Sequence, residues 1–202
     1  MVVVDKIFHN DKLPNERRYK WKRKNKTAAA SFAFCCSFGA FKTLISMDQN
    51  LYNILLHVHS VGRWIVLLLL IFAILNSLIA GSRPFIRSDN RLGLLLTIFA
   101  DLMLLVGFVL WFLGQNGYAK LQHMPMAEVM RNPTDRFYTM EHTIGMLIAI
   151  VLIHLGKAQA RKRISDKAKH RRTMIFYVLA LLIILVSIPW PFREIGMGRG
   201  WY

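Results

Sequence analysis

Cysteine is almost missing from this chain: two among 202 residues, and those two adjacent, Cys35 and Cys36. Adjacent cysteines rarely make a useful structural bridge, and no others exist to pair with them. No Cys-x-x-Cys-His occurs, which excludes covalent c-type haem attachment. No Cys-x-x-Cys set supports a structural zinc or iron–sulfur site. Acidic residues are scarce as well, 11 against 27 Lys and Arg, for a net charge of +16. There is no dinucleotide fingerprint and no nucleophile set beside a base. The glycine-rich tail from Gly196 to Tyr202 reads as a membrane-surface anchor rather than a phosphate loop, since no helix follows it. Any cofactor is left to His, Met, Asp or Glu.

What the chain has in abundance is apolar residues, 54% of the total with a mean hydropathy of +0.35. They are gathered into four blocks, about Leu51–Ala80, Leu92–Leu113, Phe137–Leu155 and Thr173–Phe192. A hydrocarbon layer of ~30 Å takes ~20 helical residues, which each block supplies. Single strands could not satisfy their backbone in lipid, so the blocks read as helices. The expected fold is all-α: a membrane-embedded four-helix bundle, up-down-up-down, partnered by the lipid bilayer.

The positive charge does not read as a nucleic-acid surface, because it is segregated. Ten basic residues lie in residues 1–46, and eight more lie between the third and fourth blocks, from Lys157 to Arg172. A short loop this basic is an orientation signal and sits well against anionic headgroups. It predicts that loop 156–172 is cytoplasmic, in a multi-pass membrane protein. The loop from Gly114 to Arg136 then lies outside, and the one from Gly81 to Arg91 inside.

Residues 1–46 conflict with that topology, since a tail so basic should stay inside while the first span begins outside. Lys6–Lys26 could be a long n-region, with Ala28–Phe41 as the apolar part of a signal or anchor segment. The reading preferred from the sequence is a mis-assigned start, with the four-helix domain occupying 47–202.

Ionisable residues inside spans are expensive and mark function by default. His57 and His59 open the first span and Glu141-His142 the third. Residues two apart on a helix point about 200° from one another, so at most one of His57 and His59 can face a given site. His59 shares a face with Gly62, Arg63 and Val66, and His142 with Gly145, Met146 and Ala149. Both imidazoles lie at similar depth. Three readings stay open: a haem b held between spans one and three, with Arg63 or Arg136 meeting its propionates; interfacial histidines; or a non-haem metal site drawing on Asp101 and Glu141-His142. The small residues would leave room for a flat ring and would equally suit close helix packing.

Asp101 lies twelve positions before Leu113 and Arg63 twelve after Leu51. In antiparallel neighbours these depths match, which predicts an Arg63–Asp101 ion pair, serving helix registry or a relay. His154 reads as interfacial. His123, beside Met124 and Met126, offers at most a weak surface copper site.

Residues 51–202 resemble the small four-span bacterial membrane proteins labelled cytochrome b-like. The resemblance rests on Leu51-Tyr-Asn-Ile-Leu-Leu-His57-Val-His59-Ser60 with Arg63-Trp64, on Arg136-Phe137 with Glu141-His142, on Met146–Ala149, on Lys157–Arg163 and on Ser187–Arg193. It implies an inner-membrane protein with non-covalent haem b and an electron-transfer role. In that family a histidine often occupies the position of Asp101, and this departure removes one candidate ligand. Bis-imidazole ligation would leave no open iron position, implying a carrier rather than an enzyme, with a redox partner or complex subunit as neighbour. The alternative is a haem-free structural or assembly subunit.

Overall fold

A computed structural model describes residues 49–196. The expectations placed on 1–46 and on the tail after Gly196 lie outside the described residues. Four long helices run through the described chain: α1 (Gln49–Ala80), α2 (Arg87–Leu113), α6 (His142–Ala158) and α7 (Asp166–Ser187). Short helices α3 (Tyr118–His123), α4 (Met126–Arg131) and α5 (Pro133–Arg136) fill the connection after α2. A π-helical turn, Phe137–Glu141, leads into α6. No strand occurs among the described residues. The four spans are long and apolar enough to cross a membrane, and the protein is a multi-pass helical bundle.

The spans pack in a ring, α1 on α2, α2 on α6, α6 on α7 and α7 back on α1. Their seams are written in the sequence at alternating spacings of three and four. On α1 the buried series includes Gly62, Val66, Leu70, Ala73, Ser77 and Ala80; on α7 it is His170, Thr173, Tyr177, Ala180, Ile184 and Ser187. That near-seven-residue period favours shallow crossings, as in soluble bundles. Lipid is as apolar as leucine, so contact between spans depends on small side chains and polar links. Ala100, Ala149 and Ala180 accordingly sit at the centre around Leu70, Leu96 and Ile153. Leucine, phenylalanine and valine side chains such as Leu68, Phe72, Leu105 and Val186 point outward to lipid.

Helix ends depart from the hydropathy blocks for local reasons. α7 begins at Asp166, ahead of the apolar block, because Ser165 caps it through the Ala168 N–H at 3.4 Å. It stops at Ser187 rather than Phe192, because Pro189 pushes Ile188 into extended backbone. The carbonyls freed there are taken up by Trp190 Nε1 on Leu185 O at 2.8 Å and by Arg193 on Val186 O at 2.7 Å. α1 is followed by Gly81 at φ +56°, a left-handed stop that suits glycine.

Candidate functional site

The end of the bundle with the connection 159–165 and its Lys and Arg residues is here the basic end; the other is the far end. At the far end His59 continues the buried seam of α1, one turn before Gly62, whereas His57 is exposed on the lipid side. The structure therefore turns His59, and not His57, toward His142. The two rings stand edge to face, centroids 6.3 Å apart and planes at 74°.

His142 is fixed by α7. Its Nδ1 lies 2.8 Å from Ser187 O, and a carbonyl oxygen only accepts, so Nδ1 carries the proton and Nε2 keeps a lone pair. His59 Nδ1 is buried without a hydrogen-bond partner. Behind it lies Gly107 of α2, where an added Cβ would stand 3.0 Å from His59 Cε1. Arg63, one turn further along α1, sets its guanidinium 5.3 Å from the centre of the Trp64 ring.

The small residues around this pair do not border an open slot. A side chain at Gly62 would run into the Sδ and Cε end of Met103, and one at Gly145 into the Ser187 hydroxyl. Of the two uses foreseen for these glycines, close helix packing is the one realised. At Gly62 the nearest atoms belong to Met103, an unbranched side chain that can swing aside.

The turn before His142 is one that residue patterns do not announce. Phe137–Glu141 forms a π-helix, which frequently occurs at functional sites. Thr139 O in this turn accepts from Trp111 Nε1 at 3.0 Å, tying the turn to α2. Arg136 is committed to Glu141 at 2.6 Å, and Phe137 is buried beside the His142 ring at 6.0 Å.

The expected Arg63–Asp101 pair is replaced by a different one. Asp101 Oδ2 lies 3.5 Å from His154 Nε2, across the seam of α2 and α6. Matching depth on antiparallel neighbours was a fair guide to level, but α2 has two neighbours, and Asp101 points to α6 rather than α1. His154, read as interfacial from the sequence, thus has a partner across the seam of α2 and α6. Asp101 and Glu141 are paired with His154 and Arg136, and no group of three His, Cys, Asp or Glu able to hold a metal forms among the described residues. His123 is exposed on α3, with no such cluster around it.

A polar cluster at the basic end has no counterpart in the sequence expectations. Asp89, its side chain 3% exposed, receives Arg83 in a two-pronged bond at 2.8 and 2.7 Å. It also accepts from Asn76 Nδ2 at 2.7 Å and from the Ile86 N–H at 2.9 Å. This fastens α1, the 81–86 turn and α2 together. The bond to Asp89 holds the Arg83 guanidinium above its ordinary pKa. His170 of α7 packs its ring against Phe85 at 4.9 Å, with Nε2 3.9 Å from Asp89 Oδ2. A small cavity beside Asp89 and Asn90, lined also by Lys157 and Tyr177, has room for about one water molecule. The signals were present: an acidic residue three positions into a helix, and an asparagine on the buried phase of α1.

No protein family, no curated protein and no solved structure matches this chain.

Proposed function

We propose that this protein is a cytochrome b-like electron carrier of a bacterial inner membrane, holding one haem b between His59 of α1 and His142 of α6. The observation that carries this reading is the facing imidazole pair. Two rings bonded to one ion from opposite sides, through metal–nitrogen bonds of ~2 Å, stand roughly 6 Å apart centre to centre. The spacing here is 6.3 Å. Two protein ligands are too few for a structural metal ion, whereas a porphyrin supplies four nitrogens of its own. His142 presents Nε2 with its tautomer fixed by Ser187, and Arg63 supplies a cation one turn from His59 for a propionate. When bound, the haem would supply one-electron chemistry, with both axial positions filled. The basic connection after α6 supports a cytoplasmic position for that loop, which would set the imidazole pair in the outer half of the membrane.

A haem-free scaffold is the second reading, favoured by the closure of Gly62 and Gly145 by Met103 and Ser187. Absorption spectra of the purified chain, oxidised and then dithionite-reduced, separate the two. The expected result is a Soret band with an α band that sharpens on reduction. His59→Ala and His142→Ala should each lose it, while His57→Ala keeps it. A folded native chain with a featureless visible spectrum, after expression with added haem precursor, leaves the scaffold reading standing.

A further inference from the structure

Asp101 is the single carboxylate in the apolar stretch 92–113 of α2, and nothing in the haem reading uses it. Its side chain and that of His154 are 46% and 49% exposed, on the seam between two helices long and apolar enough to cross a membrane. Ionisable side chains at such a depth are retained for a purpose and pair with one another.

The hydrogen bonds of His154 fix what the pair contains. Nδ1 lies 2.9 Å from Ile150 O, the carbonyl one turn earlier on the same helix. That oxygen can only accept, so Nδ1 carries a hydrogen. Nε2 faces Asp101 Oδ2 at 3.5 Å, and an ionised carboxylate also only accepts. A neutral ring with its hydrogen on Nδ1 would therefore set a bare lone pair against a bare negative charge. One proton between the two groups removes the conflict. From this geometry we propose that Asp101 and His154 form a proton-binding site within the membrane, holding a single proton between Nε2 and Oδ2.

The proton comes from water and brings one positive charge, which cancels the carboxylate; the loaded pair is an imidazolium beside a carboxylate, with zero net charge. Removing the proton leaves a lone anion in hydrocarbon, and adding a second leaves a lone cation. Both leave an uncompensated charge, which is penalised in hydrocarbon. The other charged or titratable groups on the spans around it are few. α1 contributes Tyr52, His57, His59 and Arg63, α2 itself Arg87, Asp89 and Arg91 toward the basic end, and α7 only Tyr177 in its apolar part. α6 itself carries His142 twelve residues toward the far end and Lys157 three toward the basic end, where Lys157 is bound to Asn90.

The test uses the full chain, labelled with ¹⁵N-histidine, in lipid nanodiscs at neutral pH, where a solvated imidazole is mostly neutral. The His154 resonances, assigned by their loss in His154→Gln, are expected to show both nitrogens protonated, and Asp101→Asn should return that ring to the neutral form. Infrared spectra of the native chain and Asp101→Asn serve as a second readout. A neutral His154 with a carboxylic-acid band that vanishes in Asp101→Asn puts the same proton on oxygen and sustains the site. A neutral His154 beside an ionised Asp101, or a ring unaffected by Asp101→Asn, overturns it. The haem spectrum is a separate measurement through His59 and His142, so either reading can fail alone.

Discussion

Asp89→Ala is expected to cost about 3 kcal/mol of stability, enough to lower the melting temperature in detergent by several degrees. Four hydrogen bonds converge on this carboxylate, and its side chain is 3% exposed. Removing one member of a buried ion pair typically costs ~3–5 kcal/mol, because the charge left behind has no partner. The lower figure applies here, since Arg83 is 35% exposed and can turn part of its guanidinium to water. Asn76 and the Ile86 N–H have less freedom, and both stay unsatisfied at the joint between α1 and α2. Asp89→Asn should lose less, because its one amide oxygen can still accept from Ile86 or Asn76. Melting curves for the two variants beside Arg83→Ala would check this; an Asp89→Ala chain as stable as the native one would refute the anchoring role.

Gly156→Ala should also destabilise, by up to ~2 kcal/mol net, despite the gain of ~1 kcal/mol that alanine normally brings to a helix interior. An added Cβ there meets the Tyr177 ring carbons and stands 3.3 Å from Phe176 Cβ. Tyr177 is 2% exposed, wedged between α6 and α7, and cannot turn away as a surface side chain would. Overpacking a dense core costs ~1–3 kcal/mol, which exceeds the propensity gain. The two spans would have to separate, lengthening the 3.2 Å bond from Thr173 Oγ1 to Gly156 O. Tyr177→Leu removes the ring and should recover part of the loss in the double variant. A double-mutant cycle on melting temperature reads that coupling directly.

The four spans were legible because hydrocarbon thickness imposes a length and a composition that few other structures share. So was the separation of His57 from His59, which follows from the helical repeat alone. The partner of Asp101 was not legible. Depth along a helix can be counted from a sequence, but which of two neighbouring spans a side chain turns toward depends on helix rotation. Arg63 and His154 were both at reachable depth, and only packing chose between them. The Asp89 cluster was missed for another reason: its members Asn76, Arg83 and Asp89 lie where a hydropathy reading changes from span to loop. The helix starts at Arg87 and Asp166 show the same limit, since capping and amphipathic turns extend a helix beyond its apolar block.

The π-turn at Phe137–Glu141 amounts to an α-helix with one residue inserted. Such an insertion is absorbed locally: residues after it keep their angular phase, and residues before it are rotated by about 100° and displaced by ~1.5 Å. His142 is the first residue after it, so the orientation of its imidazole belongs to α6 and is insulated from the length of the loop 114–136. Shortening the turn by one residue would swing the short helices α3–α5 around the bundle's rim while leaving the two facing rings where they are.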